Sequence, residues 1–286
     1  MPDPREVRET FNRVADCYDR HAALEQEVCR RLLERCEFQR RPPQSILDLG
    51  CGTGAGCEAL KRQFRRAQVI GLDAAPAMLA HLRRRATLLR PLRPVCGDLG
   101  RLPFARASLD LLFSSMALHW SPDLAVFFDE CRRVLRPDGM LLFATLGPGS
   151  MAELGEAWAE AGAAASLEPL PDLMEIGDTL MSAGFREPVM DMERITVQYP
   201  ALAALTQELE CTGASQLISG WAEWSALQQP IERALASSQV ENRIAVTFEI
   251  VYGTAFGPPE GQPRRTADGD VATFSVDSLL KSRPMG

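Results

Sequence analysis

The chain has 286 residues, of which 46% are hydrophobic and 24% are charged, a composition that excludes disordered and fibrous proteins. No apolar run reaches the roughly 18 to 20 residues of a membrane span, and the charged N-terminus lacks the apolar core of a signal peptide. From these two features we expect a cytoplasmic protein with no membrane partner, and at a net charge of −7 we expect no nucleic-acid partner either.

The first half of the chain alternates between helix and strand patterns. Apolar residues at three- and four-residue spacing predict a helix over residues 5–38, which ends before Arg40-Arg41-Pro42-Pro43. Short, nearly all-apolar runs are typical of buried parallel strands. The predicted elements that follow are strand 45–49, helix 55–66, strand 68–73, helix 75–89, strands 94–96 and 109–114, helix 124–135 and strand 140–146. Alternation at this spacing predicts βαβ units, and hence a doubly wound α/β protein whose parallel sheet has helices on both faces.

The pattern changes after Gly147. Two longer runs alternate between apolar and polar residues, which suits the antiparallel edge of a mixed sheet. From Gly257 onward Pro, Gly and charged residues dominate, so residues 257–286 are predicted to be a disordered tail. The predicted elements of the second half are helices 150–165 and 172–183, the alternating strands 189–199 and 243–256, and helices within 201–236 that carry Trp221 and Trp224.

Eight cysteines and three histidines raise the question of a metal site. No two cysteines form a C-x-x-C pair, and His21, His81 and His119 lie too far apart in sequence for a zinc motif. In a chain of this size, free thiols packed as small hydrophobes are the commoner arrangement. We therefore predict free thiols and no metal.

A glycine-rich turn joins the first predicted strand of the sheet to the helix that follows. It consists of Asp48-Leu49-Gly50-Cys51-Gly52-Thr53-Gly54. Such a turn can hold the pyrophosphate of a dinucleotide at a helix N-terminus. Here, however, the Gly-x-Gly-x-Gly spacing lacks the two-residue gap of the dinucleotide fingerprint, and an acidic residue precedes the first glycine by two positions. A carboxylate there repels pyrophosphate but suits the ammonium group of an amino acid, and glycines let the backbone approach a ligand closely.

Acidic residues also follow the next two strands. Asp73 ends the second strand, where it can accept hydrogen bonds from both hydroxyl groups of a ribose. Asp98 follows the third strand, where it can accept a hydrogen bond from an adenine amino group. Because open α/β sheets bind ligands at the carboxyl ends of their strands, Asp48, Asp73 and Asp98 are predicted to converge on one site.

Residues 46–54, Gly71-Leu72-Asp73, Gly97-Asp98 and the fourth strand together resemble the class I S-adenosylmethionine-dependent methyltransferases. The resemblance implies a Rossmann-like fold with a mostly parallel seven-stranded sheet and an antiparallel edge strand. It implies S-adenosyl-L-methionine as cofactor and S-adenosyl-L-homocysteine as product. Met78, one turn into the helix after Asp73, either packs on the adenine or fills the core. The implied cofactor-binding residues are Asp48, Gly50, Gly52, Gly54, Asp73, Met78, Asp98, Leu99 and Ser114.

Further segments are similar to the malonyl-[acyl-carrier protein] O-methyltransferases of biotin biosynthesis. Two departures stand out: position 119 is His where that family often has Gln, and residues 201–240 match poorly. The similar segments are 11–19, 21–25, 114–120 and 143–154, with weaker echoes at 210–214 and 246–253, so that the similarity spans about 5–256. The domain organisation that it implies is an N-terminal helical lid segment (1–40), a methyltransferase domain (41–256) with a helical insertion at about 201–240, and the tail.

This second resemblance implies that the protein methylates the free carboxylate of malonyl carried on acyl-carrier protein. It places Tyr18 over the cofactor, and His119 follows the fourth strand, where the fold usually places groups that face the substrate. These two residues are the catalytic candidates; the structural alternatives are a core or interface tyrosine and a structural histidine. A carboxylate, with an ordinary pKa of about 4, is already ionised near pH 7, so the reaction needs positioning rather than a general base.

Two other functions stay open on the sequence. One is a methyltransferase of the same fold that acts on a small free acid or a quinone-like ring. The other is a cofactor-binding assembly factor that hydroxylates a protein arginine. Methyl transfer to malonyl carrier protein, to a malonyl thioester or to free malonate discriminates among them.

Charge is unevenly distributed along the chain. Residues 1–145 hold 23 Lys and Arg against 18 Asp and Glu, a balance of +5, and the remainder holds 8 against 20, a balance of −12. The cluster Arg83-Arg84-Arg85 could therefore dock an acidic carrier protein, and a solvated helix face is the alternative.

Overall fold

The computed structural model describes residues 3–39, 41–160, 166–235, 239–240, 243–259, 264–266 and 269–271. Its helices are α1 (Pro4–Val14), α2 (Tyr18–His21), α3 (Ala23–Glu34), α4 (Ala55–Gln63), α5 (Pro76–Arg85), α6 (Leu124–Val134), α7 (Ala152–Glu160), α8 (Leu173–Ser182), α9 (Leu202–Cys211) and α10 (Trp224–Leu235). Its strands are β1 (Ser45–Leu49), β2 (Gln68–Asp73), β3 (Leu92–Cys96), β4 (Leu109–Ser115), β5 (Leu135–Leu146), β6 (Ser166–Leu167), β7 (Arg186–Tyr199), β8 (Ile218–Ser219), β9 (Gln239–Val240), β10 (Arg243–Phe256), β11 (Arg264–Thr266) and β12 (Gly269–Val271). Among the described helices, none combines the length and the apolar character that crossing a membrane requires.

One eight-stranded sheet lies at the centre of the fold. Its seven main strands follow the order β3-β2-β1-β4-β5-β10-β7, and the two-residue β9 adds to β10. Strands β1 to β5 run parallel. The strand order reverses between β1 and β4, and open α/β sheets bind ligands at this kind of switch point. The predicted doubly wound, mostly parallel sheet is confirmed.

Two strands of 14 residues, β7 and β10, form the antiparallel edge of the sheet. They pair from Ile244–Tyr199 to Thr254–Val189 and continue past a bulge, and β10 also runs antiparallel to β5. Side chains of β7 alternate between partly buried and exposed positions, whereas β10 is almost wholly buried because it lies between β5 and β7. The predicted antiparallel edge is confirmed.

Successive strand residues pack into two separate hydrophobic layers. Ile46 of β1 packs with side chains of α3, α4 and α5, and the next residue, Leu47, packs with α6 and α8 on the opposite face. Both side chains are fully buried. This alternation is the physical basis of the doubly wound arrangement, because each face of a pleated sheet must be covered.

The N-terminal segment corrects the prediction of one helix over 5–38. It forms α1, α2, α3 and a 3₁₀ turn, because the chain turns after Val14 and again at Ala22, whose φ of −87° and ψ of 47° are not helical. The first turn lets α1 pack on Met78 of α5 and returns Tyr18 towards the sheet. Apolar spacing continues across both turns, so the periodicity carries no sign of them.

Helix α3 is fastened to the antiparallel edge of the sheet. Arg31 pairs with Glu193 at 2.6 Å, and Arg35 pairs with Asp191 at 2.8 Å. The guanidinium of Arg35 also lies 4.2 Å from the ring centroid of Tyr252. Partly exposed contacts of this kind contribute about 0–1 kcal/mol each, so the three together hold α3 more firmly than any one of them.

Residues 201–236 contain α9 and α10, as predicted. The ring of Trp224 stacks on that of Trp221 at 4.6 Å, and its indole N–H donates to Thr206 at 2.9 Å. The small ladder of β6 and β8 was not predicted, because two-residue strands carry no periodic signal. Of the predicted tail, the structure describes 257–259 and the paired β11 and β12. The rest of the tail and residues 161–165 of predicted helix 150–165 lie outside the described residues.

Candidate active site

The glycine-rich turn between β1 and α4 has a conformation that few other residues could adopt. Gly50, Gly52 and Gly54 have φ of 69°, 51° and 88°, in the left-handed region. A Cβ on Gly50 would lie 2.3 Å from the Cβ of Ala117, so this position also requires a close backbone approach. At Gly52, by contrast, nothing lies within 4 Å of the Cβ position. The turn therefore presents bare backbone to an open space at the carboxyl end of the sheet.

Asp73, the last residue of β2, holds two turns together. Its Oδ2 accepts a hydrogen bond from the backbone N–H of Gly52 at 2.9 Å, and its Oδ1 accepts one from that of Ala75 at 2.8 Å. Burial raises the pKa of the Asp73 carboxyl, while these backbone hydrogen bonds oppose the rise. Each carboxylate oxygen can accept a further hydrogen bond, which fits the hydroxyl groups of a ribose.

Asp48 lies buried beneath the turn. Its Oδ2 accepts a hydrogen bond from the Cys57 thiol at 3.2 Å, and a Cβ on Gly56 would lie 2.7 Å from the same oxygen. Burial raises the pKa of the Asp48 carboxyl to about 7. A cation bound beside this carboxyl would favour its ionised form, so the site fits an ammonium group.

Two adjoining cavities lie over the turn. One, called here the turn cavity, lies between the glycine turn and α3; the other, called the crevice, extends along the ends of β2, β3 and β4. Both are lined by Tyr18, Gly50, Gly52 and Ser115, so they form one continuous site. Defining residues of the turn cavity are Glu25, Cys29, Asp48 and Thr53. Defining residues of the crevice are Leu72, Asp73, Leu99 and Trp120.

Five of the predicted cofactor residues lie together in these cavities, namely Asp48, Gly50, Gly52, Asp73 and Leu99. Two others lie behind them. Gly54 begins α4, where a Cβ would lie 2.3 Å from the side chain of Leu82. Met78 is fully buried and packs with Val14 of α1, so it fills the core.

Asp98 and Ser114 also lie outside the lining of both cavities. Asp98 is exposed, and its Oδ1 accepts the backbone N–H of Gly100 at 2.7 Å. Ser114 is fully buried, and its hydroxyl donates a hydrogen bond to the Leu49 carbonyl at 3.2 Å. The next residue, Ser115, lines both cavities instead, because successive strand residues point to opposite faces.

A hydrogen bond and an ion pair of Asp19 hold helix α2 against the glycine turn. Asp19 accepts a hydrogen bond from the Thr53 hydroxyl at 2.5 Å and pairs with Arg85 at 2.5 Å. Arg85 also donates to the Thr53 carbonyl at 3.0 Å and pairs with Glu58 at 3.1 Å. Of the three arginines considered for carrier docking, Arg85 is therefore occupied within the protein, which corrects that part of the sequence interpretation.

A third cavity, called here the acceptor pocket, adjoins the crevice and the turn cavity at Tyr18. Tyr18 lines all three cavities. The acceptor pocket is largely apolar, and its described lining contains no Lys or Arg. Burial and the nearby carboxylates raise the pKa of Tyr18, so its phenol stays protonated. Other residues that define the acceptor pocket are Glu25, His119, Trp120, Glu208 and Phe248.

His119 lies in the wall of the acceptor pocket. The side chain is 3% exposed, and its Nδ1 lies 3.2 Å from the Thr145 hydroxyl oxygen. Burial lowers the pKa of His119 to about 3, so the imidazole is neutral near pH 7. A neutral imidazole can orient a substrate through a hydrogen bond, but it supplies no positive charge.

Sequence reasoning did not single out two carboxylates of the acceptor pocket. Glu25 lies on α3 beside Leu24, Val28 and Leu32, which face the core at four-residue spacing. An acid next to such a stripe is a signal that could have drawn attention to Glu25. Glu208 lies on α9, in the segment whose sequence resemblance is weakest, and nothing local marks it.

The eight cysteines are free thiols, as predicted. In the parts of the chain that the structure describes, no three His, Cys, Asp or Glu side chains are arranged to hold a metal ion.

Comparison with known proteins assigns the family. A methyltransferase-domain family matches residues 47–143, which include the glycine turn and Asp73. A malonyl-[acyl-carrier protein] O-methyltransferase of Halorhodospira halophila is 40% identical over 98% of this chain and 97% of its own length. A protein of the same name from Gallionella capsiferriformans is 38% identical over 93% of this chain and 94% of its own.

Solved structures confirm the fold at lower sequence identity. YcgJ of Bacillus subtilis matches with a TM-score of 0.57 and 17% identity, over 79% of this chain and 97% of its own. A putative methyltransferase in complex with the Haloferax volcanii Trm112 activator matches with a TM-score of 0.58 and 18% identity, over 88% and 97%. The chain is a methyltransferase with S-adenosyl-L-methionine as cofactor and S-adenosyl-L-homocysteine as product. By its similarity over nearly its whole length, it belongs to the family of malonyl-[acyl-carrier protein] O-methyltransferases.

Proposed function

We propose that this chain transfers the methyl group of S-adenosyl-L-methionine to the free carboxylate of malonyl carried on acyl-carrier protein. The substrate is the one that the names of its relatives state. The observation that carries the proposal is the meeting of the turn cavity, the crevice and the acceptor pocket at Tyr18. This arrangement lets a cofactor on one side and an acceptor on the other meet at a single point.

The cofactor's parts match the groups that the site offers. Asp48 would hold the ammonium group, because its buried carboxyl lacks a cation partner among the described residues. Asp73 would accept the ribose hydroxyls, and Leu99 would pack beside the adenine. Gly50 and Gly52 admit the ligand because they place bare backbone at the cavity wall. When bound, the cofactor supplies a methyl group on a positively charged sulfur.

The acceptor pocket suits a carboxylate as the methyl acceptor. Transfer forms an oxygen–methyl bond, breaks the methyl–sulfur bond with its electron pair left on sulfur, and removes one positive and one negative charge. Opposite charges attract more strongly in a medium of low polarity, and a desolvated carboxylate is the more reactive nucleophile. The described lining of the pocket is largely apolar and contains no Lys or Arg, so no cationic side chain there would neutralise the carboxylate before transfer.

Tyr18 and His119 would orient the acceptor without titrating. The Tyr18 phenol keeps its proton, so it can donate a hydrogen bond at the point where the cavities meet. If the Thr145 hydroxyl donates to Nδ1 of His119, the imidazole carries its proton on Nε2 and can donate from there. Both residues act by positioning, which is sufficient because the acceptor arrives ionised.

A methyl-transfer assay tests the proposal. Purified protein is offered malonyl carrier protein, a short malonyl thioester and free malonate, with labelled cofactor. We expect methyl ester on the carrier-bound substrate and less on the free thioester. Transfer to free malonate alone would instead indicate a methyltransferase of small acids. Cofactor binding without transfer to any of the three would favour an assembly factor. Growth of a biotin auxotroph that lacks this step, when supplied with the gene, is the matching test in cells.

A further inference from the structure

Glu25, in the first turn of α3, occupies the junction between the cofactor side and the acceptor side of the site. Among the described residues, only Glu25 and Tyr18 line both the turn cavity and the acceptor pocket. The Oε2 atom of Glu25 is buried and has no hydrogen-bond partner in the described part of the chain. Buried polar atoms of native proteins are nearly always paired, so an unpaired one at a ligand cavity points to a partner supplied by the ligand.

The surroundings of Glu25 disfavour its charged form. The described residues that line the two cavities include no Lys or Arg. Burial raises the pKa of Glu25 to about 8, and the negative charge of Glu208 acts in the same direction. At pH 7 Glu25 is therefore a neutral carboxylic acid that can donate a hydrogen bond. The titratable groups around it are Tyr18, Asp19, Cys29, Asp48, Cys51, His119, Tyr199 and Glu208.

Glu208 does not take the same role, because its carboxyl already has a partner. Its Oε1 accepts the Tyr199 hydroxyl at 2.6 Å. Asp48 lines the turn cavity but not the acceptor pocket. Glu25 is thus the carboxyl group left free to meet a substrate at the junction.

We propose that Glu25, in its protonated form, donates a hydrogen bond to the substrate's carboxylate, orients it for methyl transfer and selects it against its own ester product. The proposal rests on the proposed function, because it takes a carboxylate as the acceptor. A hydrogen bond to a carboxylate is roughly twice as strong as one to a neutral acceptor. Methylation therefore weakens the contact and favours release of the ester. An ionised Glu25 would instead repel the substrate, so this residue also makes substrate binding depend on pH.

The pH profile of kcat/KM with a malonyl thioester is the first test. For wild type we expect kcat/KM at pH 9 to be about one tenth of its value at pH 7, since the protonated fraction falls by that factor for a pKa of about 8. Glu25→Gln keeps a donor that does not titrate, so it should retain activity within about threefold at pH 7 and lose the fall above pH 8. Glu27→Gln, two residues further along the same helix, is the matched control; Glu27 is partly exposed, pairs with Arg30 and Arg31 and lines neither cavity, so this variant should keep the wild-type profile.

Glu25→Ala removes the donor altogether. We expect its kcat/KM for the malonyl thioester at pH 7 to fall at least about tenfold below wild type and to show no further fall above pH 8, while its affinity for S-adenosyl-L-homocysteine stays within about twofold. Unchanged cofactor affinity also establishes that the variant is folded. Glu25→Ala with wild-type kcat/KM would overturn the proposal.

The number of protons taken up when the substrate binds can be measured without any turnover. Titration calorimetry measures binding of the malonyl thioester to protein loaded with S-adenosyl-L-homocysteine, at pH 8, in buffers of different ionisation enthalpy. Wild type should take up about half a proton, because half of Glu25 is ionised before binding, and Glu25→Gln should take up none. Proton uptake or an alkaline fall that persists in Glu25→Gln would overturn the proposal, since both would then belong to another group. Wild type that methylates none of the malonyl substrates would refute the proposed function itself, which is a distinct outcome.

Discussion

Replacing Asp73 by Asn tests the cofactor site sharply, because the amide keeps the shape of the carboxylate but turns one acceptor oxygen into a donor. Both oxygens of Asp73 face backbone N–H groups, those of Gly52 and Ala75, so the new amide must oppose one of them. One buried N–H then loses its partner, at a cost of about 1–3 kcal/mol in the unfolding free energy of the cofactor-free protein. Loss of a charged acceptor for the ribose should weaken cofactor binding by a further 1.5–3 kcal/mol or so, about 10- to 150-fold in Kd.

Two measurements separate these effects. Urea unfolding without ligand gives the stability change, and titration calorimetry with S-adenosyl-L-homocysteine gives the affinity change. Asp98→Asn is the matched control, because Asp98 is exposed and makes only a local hydrogen bond to Gly100. We expect Asp98→Asn to change Kd by less than about threefold. A folded Asp73→Asn variant with wild-type affinity would refute the assignment of Asp73 to the ribose.

Four further changes test other parts of the protein. Burial raises the pKa of Asp48 to about 7, so the stability that its neutral form contributes is present below about pH 4 and is lost as pH rises through 7. Asp48→Asn should therefore unfold at a higher urea concentration than wild type at pH 8, yet bind the cofactor at least about tenfold more weakly by calorimetry. Arg85→Ser should release α2 from the glycine turn and raise the proteolysis rate of the N-terminal segment, whereas an Arg83→Ser/Arg84→Ser variant should not. If exposed Arg83 and Arg84 dock the carrier, that double variant should raise KM for malonyl carrier protein at low salt and leave turnover of a malonyl thioester unchanged; equal KM values would place docking elsewhere. His119→Ala should lower kcat/KM for the malonyl thioester about tenfold without moving its pH dependence, and a shifted profile would contradict a neutral His119.

The sequence reveals those features of this protein that follow from the steric and packing requirements of short segments. The parallel strands are visible because strands covered on both faces need continuous apolar runs. The glycine turn is visible because its left-handed backbone and close packing demand Gly50, Gly52 and Gly54. Asp48, next to the end of β1, and Asp73, at the end of β2, could be assigned to one edge of the sheet, because the carboxyl ends of parallel strands meet there.

Other features cannot be predicted from the pattern of residues in a short segment. Neighbouring strand residues point to opposite faces, so only the folded sheet decides that Ser115 and not Ser114 lines the site. The apolar period of the N-terminal segment continues through the turn after Val14, and the packing of α1 on Met78 of α5, not helix propensity, decides that turn.

The acceptor side of the site is the clearest case. Glu25 and Glu208 are 183 positions apart in the chain, and each by itself resembles an ordinary acid on an amphipathic helix. Folding brings them into one apolar pocket, where burial disfavours both charges and the charge of Glu208 further disfavours that of Glu25. The sequence by itself determined the parallel sheet, the glycine turn and the position of Asp48 and Asp73 at the carboxyl edge of the sheet, since these follow from short-range sterics and periodicity. Only the tertiary structure decided which carboxyl groups are desolvated and stay neutral, because desolvation depends on the folded environment of a residue and not on the residue itself.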